Sequence, residues 1–251
     1  ESLGAIGVFS DGGVADKDDP FRISRNGEWI DNPCLVRKSD GGFNYATTDL
    51  ATLTYRVETW SPETILYVTD GRQQLHFRQI FAIFRRWRPD VQVRLEHIWF
   101  GSILGADGKP FRTRSGETVK LRDLLDEAEE RAFKLVTEKS PDVEERVRRD
   151  IARAVGLGAV KYADLMTHRQ SDYVFNWDKM LSLEGNTAPY LQYACARIAS
   201  VQDKYGERFP GRSPADQPIV LGDPMERRLA ARLLQFPDVV LRATNQYKPN
   251  V

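Results

Sequence analysis

Cysteine is nearly absent from these 251 residues: there are two, Cys34 and Cys195, far apart and in no Cys-x-x-Cys pair. The three histidines, His76, His97 and His168, are scattered, with none at metal-ligand spacing from a cysteine. A disulfide framework and a zinc ribbon are excluded, no metal site is expected, and the cysteine usage fits a reducing compartment such as the cytoplasm. No apolar run approaches the roughly 18 residues that cross a bilayer, so no membrane partner is expected. An excess of either charge is lacking too. Thirty-six Lys and Arg balance thirty-six Asp and Glu, so contact with nucleic acid must come from local patches, and DNA is not an expected partner. Neither a glycine-lysine phosphate loop nor a Gly-x-Gly-x-x-Gly element occurs, which removes the commonest phosphate-binding fingerprints. The first residue is Glu1 and no basic-then-apolar leader follows, so the expectation is a segment of a longer chain.

What is present is a hydrophobic content of 41%, enough for a substantial core. Cys34-Leu35-Val36 reads as a short buried strand, followed by the turn-rich stretch from Lys38 to Gly42. A helix capped at Thr47 or Thr48 carries Leu50, Leu53 and Val57 at helical spacing. Thr64 to Thr69 is the cleanest strand, and Gln73 to Trp87 is a helix with Leu75, Ile80, Phe84 and Trp87 near one face. Val91, Val93 and Leu95 alternate as a third strand. Strands alternating with helices imply parallel pairing, an α/β sheet. After Gly116 the pattern turns helical. Leu121 to Leu135 is one helix, Ser140-Pro141 reads as the start of the next, Thr187 caps a third with Gly206 just beyond its end, and Asp223-Pro224 with Glu226 opens a fourth. Phe209 to Pro218 is a loop.

In open parallel sheets ligands bind beyond the carboxyl ends of the strands. All three candidate strands run into polar clusters there: Lys38 to Tyr45, Asp70 to Gln73, and Glu96-His97. Each alone is ordinary turn chemistry; three at one edge point to a small-molecule site. Tyr45 and Asp49 are four residues apart and share a helical face. A phenol and a carboxylate together suit a guanidinium, although spacing alone fits a core tyrosine beside a helix-start aspartate better. Gln73 either reaches a ligand or caps its turn. The loop from Gly105 to Gly116 is glycine-flanked, basic and hydroxyl-bearing, and is either a solvated loop or one that closes over polyphosphate. Basic stretches at Arg85 to Arg88, Arg146 to Arg149 and Arg227 to Arg232 fit solvated helix faces, with phosphate-backbone contact as the alternative.

Five runs carry a resemblance. Val36 to Ala51 (Val-Arg-Lys-Ser-Asp-Gly-Gly-Phe-Asn-Tyr-Ala-Thr-Thr-Asp-Leu-Ala) resembles the arginine-binding segment of arginyl-tRNA synthetases, and Asp70-Gly71-Arg72-Gln73-Gln74-Leu75-His76 is similar to a second element of that family. Leu95 to Gly101 together with Gly108 to Gly116 resembles its signature-loop region. Gly156 to Leu165 and Glu184 to Tyr193 are similar to two of its helical motifs. The likeness spans about Ser10 to the end and is greatest to bacterial forms. It implies a class I aminoacyl-tRNA synthetase that makes arginyl-adenylate from L-arginine and ATP and passes arginine to tRNA(Arg). Magnesium would enter with ATP, and the parent enzyme is expected to be a cytoplasmic monomer.

By that resemblance Tyr45, Asp49 and Gln73 bind arginine, and His97, Phe100, Gly101, Thr113 and Ser115 line the ATP side. The class I Lys-Met-Ser-Lys-Ser element aligns with Phe111 to Ser115, where Arg114 replaces the second lysine; Arg114 and Lys109 are the catalytic cations it leaves. Lys161, Arg169 and Arg197 are tRNA-contact candidates by charge and position. The His-Ile-Gly-His element of class I enzymes occurs nowhere in these residues. The expected organisation is the second half of a Rossmann-type catalytic domain over 1–118, linking helices over 119–183, and the start of an α-helical anticodon-binding domain over 184–251. The fragment alone is expected to be inactive. The alternatives are a non-catalytic arginine- or RNA-binding paralogue and, more remotely, an unrelated nucleotide-binding α/β protein.

Overall fold

A computed structural model of the chain describes residues 4–105, 107–109 and 120–251. Two compact units part after Phe100. The boundary expected at residue 118 lies outside the described residues.

The first unit opens with β1 (Ile6–Val8), β2 (Arg22–Arg25), β3 (Glu28–Asp31) and β4 (Cys34–Arg37). Strands β2 and β3 form a hairpin turned by Asn26 and Gly27, with φ of 53° and 84°. That left-handed pair is what a two-residue hairpin turn demands. Strand β4 pairs antiparallel with β1, Val8 opposite Cys34. This corrects the expectation of three parallel strands: β4 finds its hydrogen bonds in the chain upstream, not in the sheet that follows. The parallel sheet is a pair, β5 (Thr64–Asp70) and β6 (Arg94–Phe100), in register from Thr64 opposite Arg94 to Asp70 opposite Phe100. Val91 and Val93 precede β6. Arg94 is the first residue paired with β5, and its N–H donates to the carbonyl of Glu63, just past Pro62 at the helix exit.

Helix α1 (Tyr45–Trp60) begins earlier than Thr47. Asn44 is the cap: its side chain accepts from the N–H groups of Ala46 and Thr47 and donates to the Leu35 carbonyl at 2.7 Å. The Thr47 hydroxyl donates instead to the Val36 carbonyl. Both bonds tie the helix start to β4, so Tyr45 becomes the first helical residue and Asp49 follows one turn later. A 3-10 turn over Gly71–Gln73 leads into α2 (Gln74–Trp87). Phe77, Ile80, Phe81 and Phe84 of α2 are buried with Leu50 and Leu53 of α1, Ile65 of β5 and Leu95 of β6. One core thus fixes both helices on the sheet. Asp19, fully buried, accepts from the Phe21 N–H and the Ser10 hydroxyl; burial alone would raise its pKa, but these bonds together with Arg86 and Arg22 hold it below the ordinary carboxylate range.

The regular elements described in the second unit are mostly helices. It contains the two-residue strands β7 (Ile103–Leu104) and β8 (Tyr173–Val174), paired in parallel, and helices α3 (Leu121–Lys139), α4 (Glu145–Met166), α5 (Trp177–Met180), α6 (Ala188–Arg208), α7 (Pro224–Leu234) and α8 (Phe236–Gln246). Ser140 terminates α3 rather than opening α4, which starts after Glu144. Thr187 caps α6 and Asp223 with Glu226 forms a capping box on α7, both at the expected positions. Gly206 lies inside α6, and Phe209 is its cap. The motif around Gly156 has a packing explanation: a Cβ there would lie 2.6 Å from the Ala128 carbonyl oxygen, so only glycine lets α3 and α4 approach this closely. A Cβ on Gly158 would meet the Gln192 amide at 2.8 Å, and that amide donates to the Ala154 carbonyl. Two of the matched motifs therefore interlock. Replacing Gly156 by Val should destabilise the protein by about 2 kcal/mol or more through overpacking against backbone, read as a lower urea midpoint; a midpoint equal to wild type would refute the close-approach argument.

Candidate functional site

The start of α1 and the first turn of α2 bring Tyr45 and Asp49 against His76, while no contact joins Gln73 to either among the described residues. Tyr45 is 70% exposed at the first position of α1. Asp49, one turn on, is held by His76 from the first turn of α2: Nε2 lies 2.6 Å from Oδ2. A carboxylate oxygen only accepts, so Nε2 carries the proton. The His76 ring stands 4.8 Å from that of Tyr45 and 5.0 Å from that of Phe77. Phe77 in turn packs at 4.7 Å on both Tyr67 of β5 and His97 of β6. The site is thus anchored through aromatic contacts to the sheet. Beside it opens a cleft of about 490 Å³ whose walls include Asn44, Tyr45, Arg72, Leu75, His76 and Gln79.

Gln73 caps α2 with its backbone, its side chain exposed and making no cap bond. Three residues before His76, it shares that helical face. The turn that carries it is set by Asp70, whose carboxylate accepts from the Arg72 N–H at 2.7 Å and from Arg72 Nε at 2.8 Å. Those hydrogen bonds hold the Asp70 pKa below its ordinary value. Burial pushes the Tyr67 phenol up, reinforced by Asp49 and opposed by Arg56, whose guanidinium lies 5.2 Å over its ring.

Of the candidates on the nucleotide side, His97 lies on β6 with Nε2 at 2.8 Å from the Thr69 hydroxyl. Phe100 ends β6 with 42% exposure. Gly101 has a structural reason to be glycine: its N–H donates to the Arg169 carbonyl and a Cβ would sit 2.6 Å from the Ser171 oxygen. Thr113, Arg114 and Ser115 lie outside the described residues. Lys109 is exposed in a turn closed by the Gly105 N–H on its carbonyl at 2.8 Å.

Lys161 is exposed on α4. Arg169 donates through Nε to the Tyr247 carbonyl at 2.9 Å, fastening the last residues of the chain. Arg197 donates to the Tyr193 hydroxyl one turn earlier on α6. Among the described residues no cluster of His, Cys, Asp and Glu could hold a metal ion, and no helix is long and apolar enough to cross a membrane. The residue that sequence reasoning passed over is His76, set aside as one of three scattered histidines. The available signal was its position one turn after Gln73 in the same matched element.

Comparison with known proteins identifies the family to which the chain belongs. A family model described as tRNA synthetases class I (R), catalytic domain, matches residues 4–177, and one described as DALR anticodon binding domain matches residues 191–251. The chain belongs to the class I arginyl-tRNA synthetase family. It is 54% identical over 208 residues to the arginine–tRNA ligase of Laribacter hongkongensis, covering 82% of this chain and 35% of that protein. It is 47% identical over 253 residues to the arginine–tRNA ligase of Alcanivorax borkumensis, covering 100% of this chain and 41% of that one. The solved arginyl-tRNA synthetase of Thermus thermophilus superposes with a TM-score of 0.72 at 26% identity, covering 98% of this chain and 43% of that structure. The chain therefore spans between 35% and 41% of these two curated relatives.

Removing the Asp70 carboxylate should loosen the turn that carries Gln73. Asp70→Ala is expected to cost about 1 kcal/mol at neutral pH, the usual cost of losing a cap. Because the folded pKa is depressed, this contribution is present above the ordinary carboxylate pKa and fades as pH falls through the lowered value. Urea melts at several pH values should show the two proteins converging in acid; a gap that persists at low pH would contradict the assignment.

Proposed function

We infer that this chain supplies the arginine-recognising part of an arginine–tRNA ligase, which activates L-arginine with ATP to arginyl-adenylate and transfers arginine to tRNA(Arg). The observation that carries the reading is the phenol and carboxylate of Tyr45 and Asp49 presented one turn apart on α1, with Asp49 fixed by His76. A guanidinium is planar and offers paired N–H donors. A fixed carboxylate with a hydroxyl beside it accepts that fork, whereas an ammonium matches it poorly. Gln73 adds an amide from the start of α2.

In this reading His97, Phe100 and Gly101, with Thr113 and Ser115, serve the ATP side. The arginine carboxylate attacks the α-phosphorus, its new O–P bond replacing the one to pyrophosphate, and Arg114 and Lys109 stabilise the charge that pyrophosphate carries away. Magnesium enters with ATP as part of the substrate. Residues 191–251 belong to the domain class described as anticodon-binding, which supports tRNA as partner, with Lys161, Arg169 and Arg197 as basic contacts. The complete ligase acts in the cytoplasm as a monomer.

Two outcomes are expected. In a complete ligase carrying this sequence, Asp49→Asn should raise KM for arginine by roughly 10- to 100-fold, the range for a lost hydrogen bond to a charged group, and Tyr45→Phe by less; steady-state ATP–pyrophosphate exchange reads both, and an unchanged KM in Asp49→Asn would remove it from the site. The 251-residue chain by itself, which has no His-x-Gly-His element, should show no exchange with ATP, arginine and tRNA supplied. Exchange above background would contradict that.

A further inference from the structure

In the reading above His76 only fixes Asp49, yet it touches both residues that carry that reading. We propose that His76 is a positioning residue for arginine: its imidazole holds Asp49 by one oxygen and backs Tyr45, so that both face an incoming guanidinium already oriented. The proposal rests on the reading of Tyr45 and Asp49 as the guanidinium contacts and deepens it.

An aspartate on an open helix surface samples several rotamers, and ordering it on binding costs affinity. The 2.6 Å bond from Nε2 to Oδ2 removes that cost before substrate arrives and leaves the lone pairs of Oδ1 for a ligand. The donor is the more buried partner: the His76 side chain is 12% exposed against 34% for Asp49. Its ring is set between Tyr45 at 4.8 Å and Phe77 at 5.0 Å, and Phe77 is wedged against Tyr67 and His97 of the sheet. The chain of contacts runs from β5 and β6 through Phe77 and His76 to Asp49, with no loop between.

The residue type matters as much as its place. An imidazole donates that hydrogen bond without a permanent charge of its own to cancel the negative charge of the carboxylate. A lysine or arginine there would cancel that charge and compete with the substrate's own cation. Histidine with its proton on Nε2 is thus a donor compatible with a site that must stay anionic.

The test uses a complete ligase carrying this sequence and measures ATP–pyrophosphate exchange with arginine and ATP varied separately. His76→Phe keeps an aromatic ring and loses the donor. His76→Gln keeps an N–H donor at a similar reach. His76→Phe should raise KM for arginine about tenfold, with kcat and KM for ATP changed less than about twofold, and His76→Gln should recover most of the loss. An unchanged KM for arginine in His76→Phe, a His76→Gln as impaired as His76→Phe, or equal shifts in both KM values and kcat would overturn the proposal. If His76→Phe fails to fold by circular dichroism, His76→Gln decides alone: a KM within about threefold of wild type supports the role, and a larger rise overturns it. Asp49→Asn is measured alongside. If its KM for arginine is unchanged, the guanidinium reading itself fails; if it rises while His76→Phe does not, only the role of His76 falls.

Discussion

The hydrogen bond between Asp49 and His76 joins two helices that the chain separates by an entire strand. Its geometry follows from how α1 and α2 are seated. Leu50 and Leu53 on one helix and Phe77, Ile80 and Phe84 on the other are buried in the same core over β5 and β6. Apolar burial of this kind is non-directional, so it fixes position without fixing a polar contact. The polar geometry comes from the helix starts: Asn44 anchors the first turn of α1 to β4, and Asp70 sets the turn that begins α2. Moving either start by one residue would rotate its side chains by about a quarter turn and part the pair.

The helical unit solves a different problem with glycine. Close crossing of α3 and α4 at Gly156, and the seating of Gln192 over Gly158, account for motif residues in terms of packing alone. The same holds for Gly101 against Ser171 and for Arg169 against Tyr247. These residues have partners within the chain that account for them, whereas Tyr45 is 70% exposed at a helix start beside a cleft and meets the His76 ring there.

Long motifs made the family readable from sequence, and helical spacing made the Tyr45–Asp49 pair readable as neighbours. The caps at Thr187 and Asp223 were equally plain, because a cap is a local bargain between one side chain and the next few N–H groups. What escaped was non-local. Nothing near Cys34 announces that its strand pairs with Ile6–Val8, and nothing near Asp49 announces a partner at residue 76. The cap at Asn44 was missed because Thr47 and Thr48 are also good caps; the bond from Asn44 to Leu35 decides between them, and it depends on β4 being alongside. The β2–β3 hairpin is local, yet its four-residue strands are too short and too exposed to show alternation, so only the Asn26-Gly27 turn marks it.

The central claim is that a guanidinium, and no neutral group of the same shape, is what Tyr45 and Asp49 accept. It is tested most directly by titrating the isotope-labelled chain with L-arginine and, separately, with L-citrulline, whose urea group has the outline of a guanidinium without its charge, while following the amide signals of Tyr45 to Asp49 and the imidazole nitrogens of His76. The account predicts saturable shifts at those positions with arginine and none with citrulline. Equal shifts with both ligands, or arginine-induced shifts confined to other parts of the chain, would contradict it.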